Sequence, residues 1–373
     1  MSDLDHPVEG PTPDARTSAD GLSADRDEAR AFAEKTSTGP RADWADHLDA
    51  DMKAVLDALS DLRPQAIETL TPEEARLQPT PADGAMEILR QKKLDRKDDG
   101  VATRDFTIPG PGGAIKARLY GPQVDKPADA EARLPVVVYF HGGGFVIANL
   151  DVYDASPRAL AAKTGCIVVS CDYRRAPEDP FPAAHDDAFA AYKWVVQNAA
   201  SFGGDPEKIA ILGESAGGNL ACNVSIRARD EGLTAPLVQV LVYPVAQIDM
   251  ETRSYVDYAT AKPLNKPMMQ WFVKHYLGGP KGAADPRINL VAANLAGLPH
   301  TCILNAEIDP LRDDGEKLEQ ALKAAEVKVD RHLYSGVTHE FFGMGAVVHK
   351  AKKAEDHAAQ ELKRAFGLGL TFI

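Results

Sequence analysis

Lys208-Ile209-Ala210-Ile211-Leu212-Gly213-Glu214-Ser215-Ala216-Gly217-Gly218-Asn219-Leu220 joins an apolar, strand-like run to a helix-forming one through a G-x-S-x-G turn. Lys208 to Leu212 reads as a short buried strand, and Asn219 to Arg229 is rich in good helix formers. A serine at such a junction occupies a sharp turn where the backbone passes close to its neighbours, so small flanking residues are required. Gly213 and Gly217 meet that need, with Ala216 and Gly218 keeping the approach open. The turn lifts the Ser215 hydroxyl clear of the sheet and aims the first helix amides at whatever it attacks. An ordinary strand-to-helix connection can carry the same five residues, so the weight falls on their partners elsewhere.

Outward from this turn, strand-like and helix-like segments alternate. Arg104 to Ile108 and Ala114 to Tyr120 read as paired strands around Pro109-Gly110-Pro111-Gly112-Gly113. Leu134 to Phe140, Cys166 to Cys171 and Ile209 to Leu212 are near-continuous apolar runs, the pattern of strands buried on both faces. Helix-like segments at Ala159 to Lys163 and Ala188 to Ala200 separate them, and Leu237 to Tyr243, Thr301 to Leu304 and Val329 to Leu333 continue the series. The expected architecture is α/β, a mostly parallel, doubly wound sheet with an antiparallel start.

Two stretches break the rhythm. Trp44, Leu48, Met52, Val55, Leu56 and Leu59 form an apolar stripe at helical spacing, and a second helix is expected over Ala82 to Leu94. Residues 245–289 interrupt the alternation with a helix over Lys266 to Tyr276. An insertion after a strand's C-terminal end lies on the ligand-binding side of an α/β sheet. The expected organisation is therefore a mobile acidic tail at 1–42, a helical cap from 43–97 and 245–289, and a core from 98–244 and 290–373. The tail, rich in Asp, Pro, Ser, Thr and Gly, has too little apolar surface to offset its ordering entropy.

His141-Gly142-Gly143-Gly144-Phe145 follows the strand Leu134 to Phe140 directly. Consecutive glycines cost backbone entropy and make sense where amides must approach a ligand. Attack by Ser215 on a carbonyl leaves a negative oxygen that fixed N–H donors stabilise, and Gly143, Gly144 and Ala216 are assigned to that oxyanion hole. A serine hydroxyl also needs a base, and the base an orienting acid. Asp309, in Glu307-Ile308-Asp309-Pro310-Leu311 after the strand Thr301 to Leu304, is the candidate acid, with Glu307 second. His339, in Gly336-Val337-Thr338-His339-Glu340-Phe341, is the candidate base, and the order Ser215, Asp309, His339 is that of an α/β-hydrolase. Asp313 and Asp314 are expected to cap the following helix, with Asp314 a further candidate to orient the histidine loop. His141 is read as a support for the glycine loop, His185 as an ordinary helix residue, and His275, His300 and His332 lack a partner motif.

The chain has 373 residues, enough for a large core, and its 44% hydrophobic and 26% charged residues are ordinary for a globular protein. A net charge of −13 opposes nucleic acid and anionic membranes as partners. No apolar stretch reaches membrane-spanning length, and the first residues lack a signal-peptide pattern. Cys166, Cys171, Cys222 and Cys302 lie in or beside apolar runs without metal-ligand spacing. Free buried thiols, no metal and a cytoplasmic location are expected.

His141-Gly142-Gly143-Gly144, Gly213-Glu214-Ser215-Ala216-Gly217-Gly218, Asp309-Pro310-Leu311-Arg312-Asp313 and His339-Glu340-Phe341 together resemble the motif set of the hormone-sensitive lipase family, the bacterial family IV carboxylesterases. Asp172-Tyr173-Arg174-Arg175-Ala176-Pro177-Glu178 with Pro180-Phe181-Pro182-Ala183 is similar to a further family signature, Arg175 replacing its usual leucine. Arg174 and Glu178 are read as charged ties of that loop. The resemblance spans about residues 100–370. It implies an eight-stranded α/β-hydrolase core, an N-terminal helical cap, no cofactor, often a homodimer joined through the last strand, and a small ester substrate of short or medium acyl chain. Glu214 departs from the Asp or Thr common at that position. Phe145, Tyr243, Met268, Met269, Trp271 and Phe272 are candidates to line the substrate pocket, packing between cap and core being their alternative role. Amide or lactone hydrolysis uses the same triad. Plant gibberellin receptors are similar in fold but lack the catalytic histidine, which this chain keeps as His339.

Overall fold

A computed structural model describes residues 43–94, 100–122, 133–278, 282 and 284–369. The acidic tail expected at 1–42 lies outside them. Helices α1 (Ala50–Asp61), α2 (Pro72–Ala75) and α3 (Pro81–Gln91) precede strands β1 (Ala102–Gly110), β2 (Gly113–Gly121) and β3 (Leu134–Phe140). Next come α4 (Ala155–Thr164), β4 (Ile167–Asp172), α5 (Ala183–Asn198), β5 (Gly204–Glu214), α6 (Ala216–Asp230) and β6 (Val238–Val242). The insertion contributes α7 (Arg253–Asp257) and α8 (Lys266–Leu277), and β7 (His300–Ile308), α9 (Arg312–Ala324), β8 (Val329–Thr338) and α10 (His349–Ala365) complete the chain.

The eight strands form one sheet in the order β1-β2-β4-β3-β5-β6-β7-β8. β1 pairs β2 and β2 pairs β4 antiparallel, and all later pairs are parallel. The eight-stranded α/β-hydrolase sheet expected from the sequence is thus present. The apolar runs divide by alternation. Val136, Val138 and Phe140 of β3 pack on one face with α5, α6 and α9, whereas Val137 and Tyr139 face α4 and α10 on the other. A strand buried on both faces has no polar side to show, which is why its sequence lacks period-two alternation.

The stripe beginning at Trp44 does not form one helix. Asp43–His47 is a separate 3₁₀ turn, and α1 starts only after Asp49, whose extended backbone donates its amide to the Gly336 carbonyl at 2.9 Å. That long-range bond commits the chain to a break that local periodicity does not reveal. Met52, Val55 and Leu59 still pack inward. α2 and α3 begin with capping boxes, Thr71 with Glu74 and Thr80 with Asp83, and Asn265 caps α8 by accepting the Met268 amide at 2.8 Å.

Candidate active site

β5 stands in the middle of the sheet, and its C-terminal end delivers Ser215 at the first turn of α6. Ser215 has φ 55° and ψ −118°, a conformation that L-residues rarely hold. The surroundings leave no slack, since a Cβ on Gly213 would lie 2.0 Å from the Gly217 carbonyl oxygen. The strain is not isolated. Phe145, Ala148, Tyr243 and Glu340 also have positive φ, so five of the eight such non-glycine residues described lie around this site.

His339 follows the C-terminal end of β8 and Asp309 that of β7, and the parallel pairing of β5 through β8 brings both loops to the Ser215 end of the sheet. Ser215 Oγ lies 3.0 Å from His339 Nε2, and His339 Nδ1 lies 2.7 Å from Asp309 Oδ2. The second Asp309 oxygen accepts the Leu311 amide at 2.8 Å, which holds the carboxylate in register. Burial works to lower the His339 pKa, but Asp309, followed by Glu340 and Glu214, outweighs it and leaves the imidazole above the ordinary histidine value.

The glycine loop closes the other side. Gly143 and Gly144 have φ 98° and 58°, and a Cβ on Gly144 would meet the Phe272 ring at 2.2 Å. Among the described residues no acceptor takes the amide hydrogens of Gly143, Gly144 or Ala216. Tyr173 fastens the loop from behind. Its hydroxyl donates to the carbonyls of His141 at 2.8 Å and Gly142 at 3.1 Å, and its ring stacks on His141 at 4.4 Å.

A cavity of about 350 Å³ opens over Ser215 and His339. Its far walls come from the N-terminal segment (Leu56, Leu59, Pro64) and the insertion (Met268, Met269, Phe272), making it largely apolar.

The α/β hydrolase fold profile matches residues 137–343, more than half of the chain, including Ser215, Asp309, His339 and the glycine loop. Mycobacterium tuberculosis esterase LipI is 39% identical over 291 residues, 75% of this chain and 89% of that protein. Carboxylesterase NlhH from the same organism is 39% identical across 67% of this chain and 78% of its own length. This chain belongs to the hormone-sensitive lipase family of α/β-hydrolases. Ethyl acetate hydrolase of Pseudomonas putida is similar to the hydrolase at 36% identity over 68% of this chain and 78% of that protein. Among solved structures, the esterase of Pyrobaculum calidifontis superposes with a TM-score of 0.75 at 36% identity, covering 85% of the hydrolase and 98% of that chain.

Of the pocket candidates, Phe145, Met268, Met269 and Phe272 line the cavity of the hydrolase, but Tyr243 and Trp271 do not. Tyr243 is fully buried behind the His339 ring, with its hydroxyl on Glu214. Trp271 faces the N-terminal segment and donates its indole N–H to the Leu70 carbonyl at 3.1 Å. Sequence position alone, a strand end for Tyr243 and a helix for Trp271, puts both near the cavity; which wall a large ring joins is set by its polar atom's partner. Glu307 is turned to the Gly336 amide, which it accepts at 2.8 Å, and His339 Nδ1 is taken by Asp309.

Asp313 and Asp314 do not cap α9, whose N-cap residue is Leu311. Asp314 is buried and accepts the amides of Ala246 and Gln247 at 3.0 and 3.2 Å, while Asp313 accepts that of Ser254 at 2.8 Å. They fasten the insertion. Burial pushes the Asp314 carboxyl up to about 7, with the Ala246 and Gln247 hydrogen bonds opposing it. Arg174 forks onto Asp187 at 2.9 and 2.8 Å, as a loop tie should. Glu178 instead binds Arg76 of the N-terminal segment through two 2.7 Å bonds, and Arg76 also donates to the carbonyls of Val146 and Ala176.

His185 is more than an ordinary helix residue. Fully enclosed, it bridges Asn219 of α6 at 2.9 Å and Tyr276 of α8 at 2.8 Å, and burial pushes its pKa down to about 4 against the Asn219 hydrogen bond. Neither role leaves a local sequence signal, because each partner lies 34 or more residues away.

Proposed function

We propose that this hydrolase is a serine carboxylesterase that cleaves short- to medium-chain carboxylic esters through an acyl-enzyme. One observation carries the reading: the hydrogen-bonded chain Ser215–His339–Asp309 lining an apolar cavity, beside glycine-loop amides that meet no acceptor among the described residues. The substrate carbonyl sits between Ser215 Oγ and the amides of Gly143, Gly144 and Ala216. Ser215 Oγ bonds to the carbonyl carbon as its proton passes to His339 Nε2, and Asp309 stabilises the imidazolium. Collapse of the oxyanion breaks the ester C–O bond, and His339 returns the proton to the departing alcohol. Water then adds to the acyl carbon, giving a proton to His339, and the Ser215 Oγ–acyl bond breaks as that proton passes to Oγ, which releases the acid and restores both residues. The base must be neutral to act, so the raised His339 pKa sets the acid limb of activity above pH 6.5.

The N-terminal segment and the insertion act as a two-part cap that excludes water from the acyl chain, and an apolar cavity of about 350 Å³ suits short and medium chains. Relatives named for carboxylic and acetate esters support esters over amides or lactones, and retention of the base counts against a receptor role. A homodimer through the open edge of β8 is the matching assembly, tested by light scattering of the purified chain. Among the described residues no helix is long and apolar enough to cross a membrane.

Hydrolysis of p-nitrophenyl esters from acetate to palmitate, beside anilides and a lactone, tests the reading. Turnover should peak at short or medium chains and fall on the order of 10⁵-fold in Ser215→Ala. Product release that survives this substitution, or anilides cleaved faster than esters, would reject it.

A further inference from the structure

Glu214 immediately precedes the nucleophile and is fully buried. Its Oε1 accepts from the Tyr139 hydroxyl at 2.6 Å and its Oε2 from the Tyr243 hydroxyl at 2.5 Å. Both tyrosines are themselves fully buried. A buried carboxyl is costly, and nothing in the turn calls for one, since Gly213 and Ser215 satisfy its backbone geometry. What the carboxyl does reach is the base. Tyr243 holds a strained φ of 36°, and its ring centroid lies 4.4 Å from that of His339. Its amide donates to the Leu304 carbonyl at 2.6 Å, which fastens this ring to the strand leading to Asp309. A parallel arrangement stands on the next residue, where the Tyr153 hydroxyl donates to Glu340 Oε1 at 2.8 Å.

We propose that Glu214 is a positioning residue: through Tyr243 it fixes the His339 ring against Ser215, and its negative charge favours the imidazolium that forms when the serine proton is taken. This rests on the esterase reading of the same site. Asp309 holds His339 from Nδ1, and Glu214 governs the ring from the side of Tyr243. The ionisable and polar groups facing Glu214 are Tyr139 from β3, Tyr153 from the glycine-loop side, Tyr243 beyond β6, Ser156 of α4, and His339 and Glu340 beyond β8. Burial pushes the Glu214 carboxyl up to about 7, against the hydrogen bonds of Tyr139, Tyr243 and Ser156 and with the repulsion of Glu340. Its charge therefore changes near pH 7.

The test is the pH profile of kcat and KM for p-nitrophenyl butyrate with the full-length protein, Glu214→Gln, Glu214→Asp and Tyr243→Phe, each checked for folding by its thermal melt. Glu214→Gln should lower kcat about 10- to 100-fold with KM nearly unchanged, and should move the acid limb to lower pH because His339 loses a negative neighbour. Glu214→Asp should retain the limb of the parent while losing kcat, since it keeps the charge but is too short for both hydroxyls. Tyr243→Phe should lower kcat without moving the limb as far. A folded Glu214→Gln with the parent's kcat and acid limb would overturn the proposal. If that variant does not fold, Tyr243→Phe with unchanged kcat overturns it and a lowered kcat sustains it. A parent protein that does not turn over the ester rejects the esterase reading itself, and the role of Glu214 falls with it.

Discussion

The centre of the sheet and the two segments above it are built on different principles. Around Ser215 the backbone is strained, the side chains are buried and the polar atoms are held in a dense set of short hydrogen bonds between strand ends. The N-terminal segment and the insertion are ordinary amphipathic helices joined to the core by a few long-range ties: Arg76 to Glu178, Trp271 to Leu70, and Tyr276 to His185. One region is over-determined so that a reactive geometry persists, while the other needs only to be apolar beneath and anchored at a few points. A fault at the centre should therefore act on rate, and one in the ties on substrate binding and stability.

Asp309→Asn is the sharpest test of that division. It preserves size and the Leu311 contact but allows the wrong imidazole tautomer, so kcat should fall about 10⁴-fold with little change in melting temperature. Gly144→Ala comes next. The added methyl strikes Phe272 and the residue must keep φ 58°, displacing the donor amides and lowering kcat about 10²-fold or more in steady-state kinetics. A change in KM alone would break the comparison.

His185 sits between the two regions and makes their junction sensitive to acid. Its folded pKa of about 4 lies below the unfolded value near 6.5, so the unfolded chain binds the extra proton first. The contribution of neutral His185 is whole above pH 6.5 and is lost as pH falls toward 4, up to about 3 kcal/mol. Thermal melts across that window should show a shallower decline for His185→Gln than for the parent, and equal slopes would contradict it. Arg76→Ala should have the smallest effect. It removes a half-exposed ion pair together with bonds to two carbonyls, costing about 1–2 kcal/mol by denaturant titration and raising KM more than it lowers kcat.

Legibility follows the same divide. The turn at Ser215, the glycine run and the loops bearing Asp309 and His339 announce themselves, because each joins a chemical requirement to a short backbone pattern. The break before α1, the placement of Tyr243 behind His339 and the use of Asp313 and Asp314 to hold the insertion do not. Glu214 stands out as a departure from the family motif, but the two hydroxyls that give it meaning lie 75 and 29 residues away.

The residue pattern suffices for an α/β sheet and for the order in which Ser215, Asp309 and His339 follow its strands, since apolar period and turn chemistry are local properties of the chain. Tertiary structure alone decided which rings face the cavity, which carboxyls are enclosed, and how the helices above the site are tied down. Those depend on partners brought together only when the sheet closes its two-sided core, and no local pattern encodes which distant hydroxyl, amide or guanidinium a buried charge will meet.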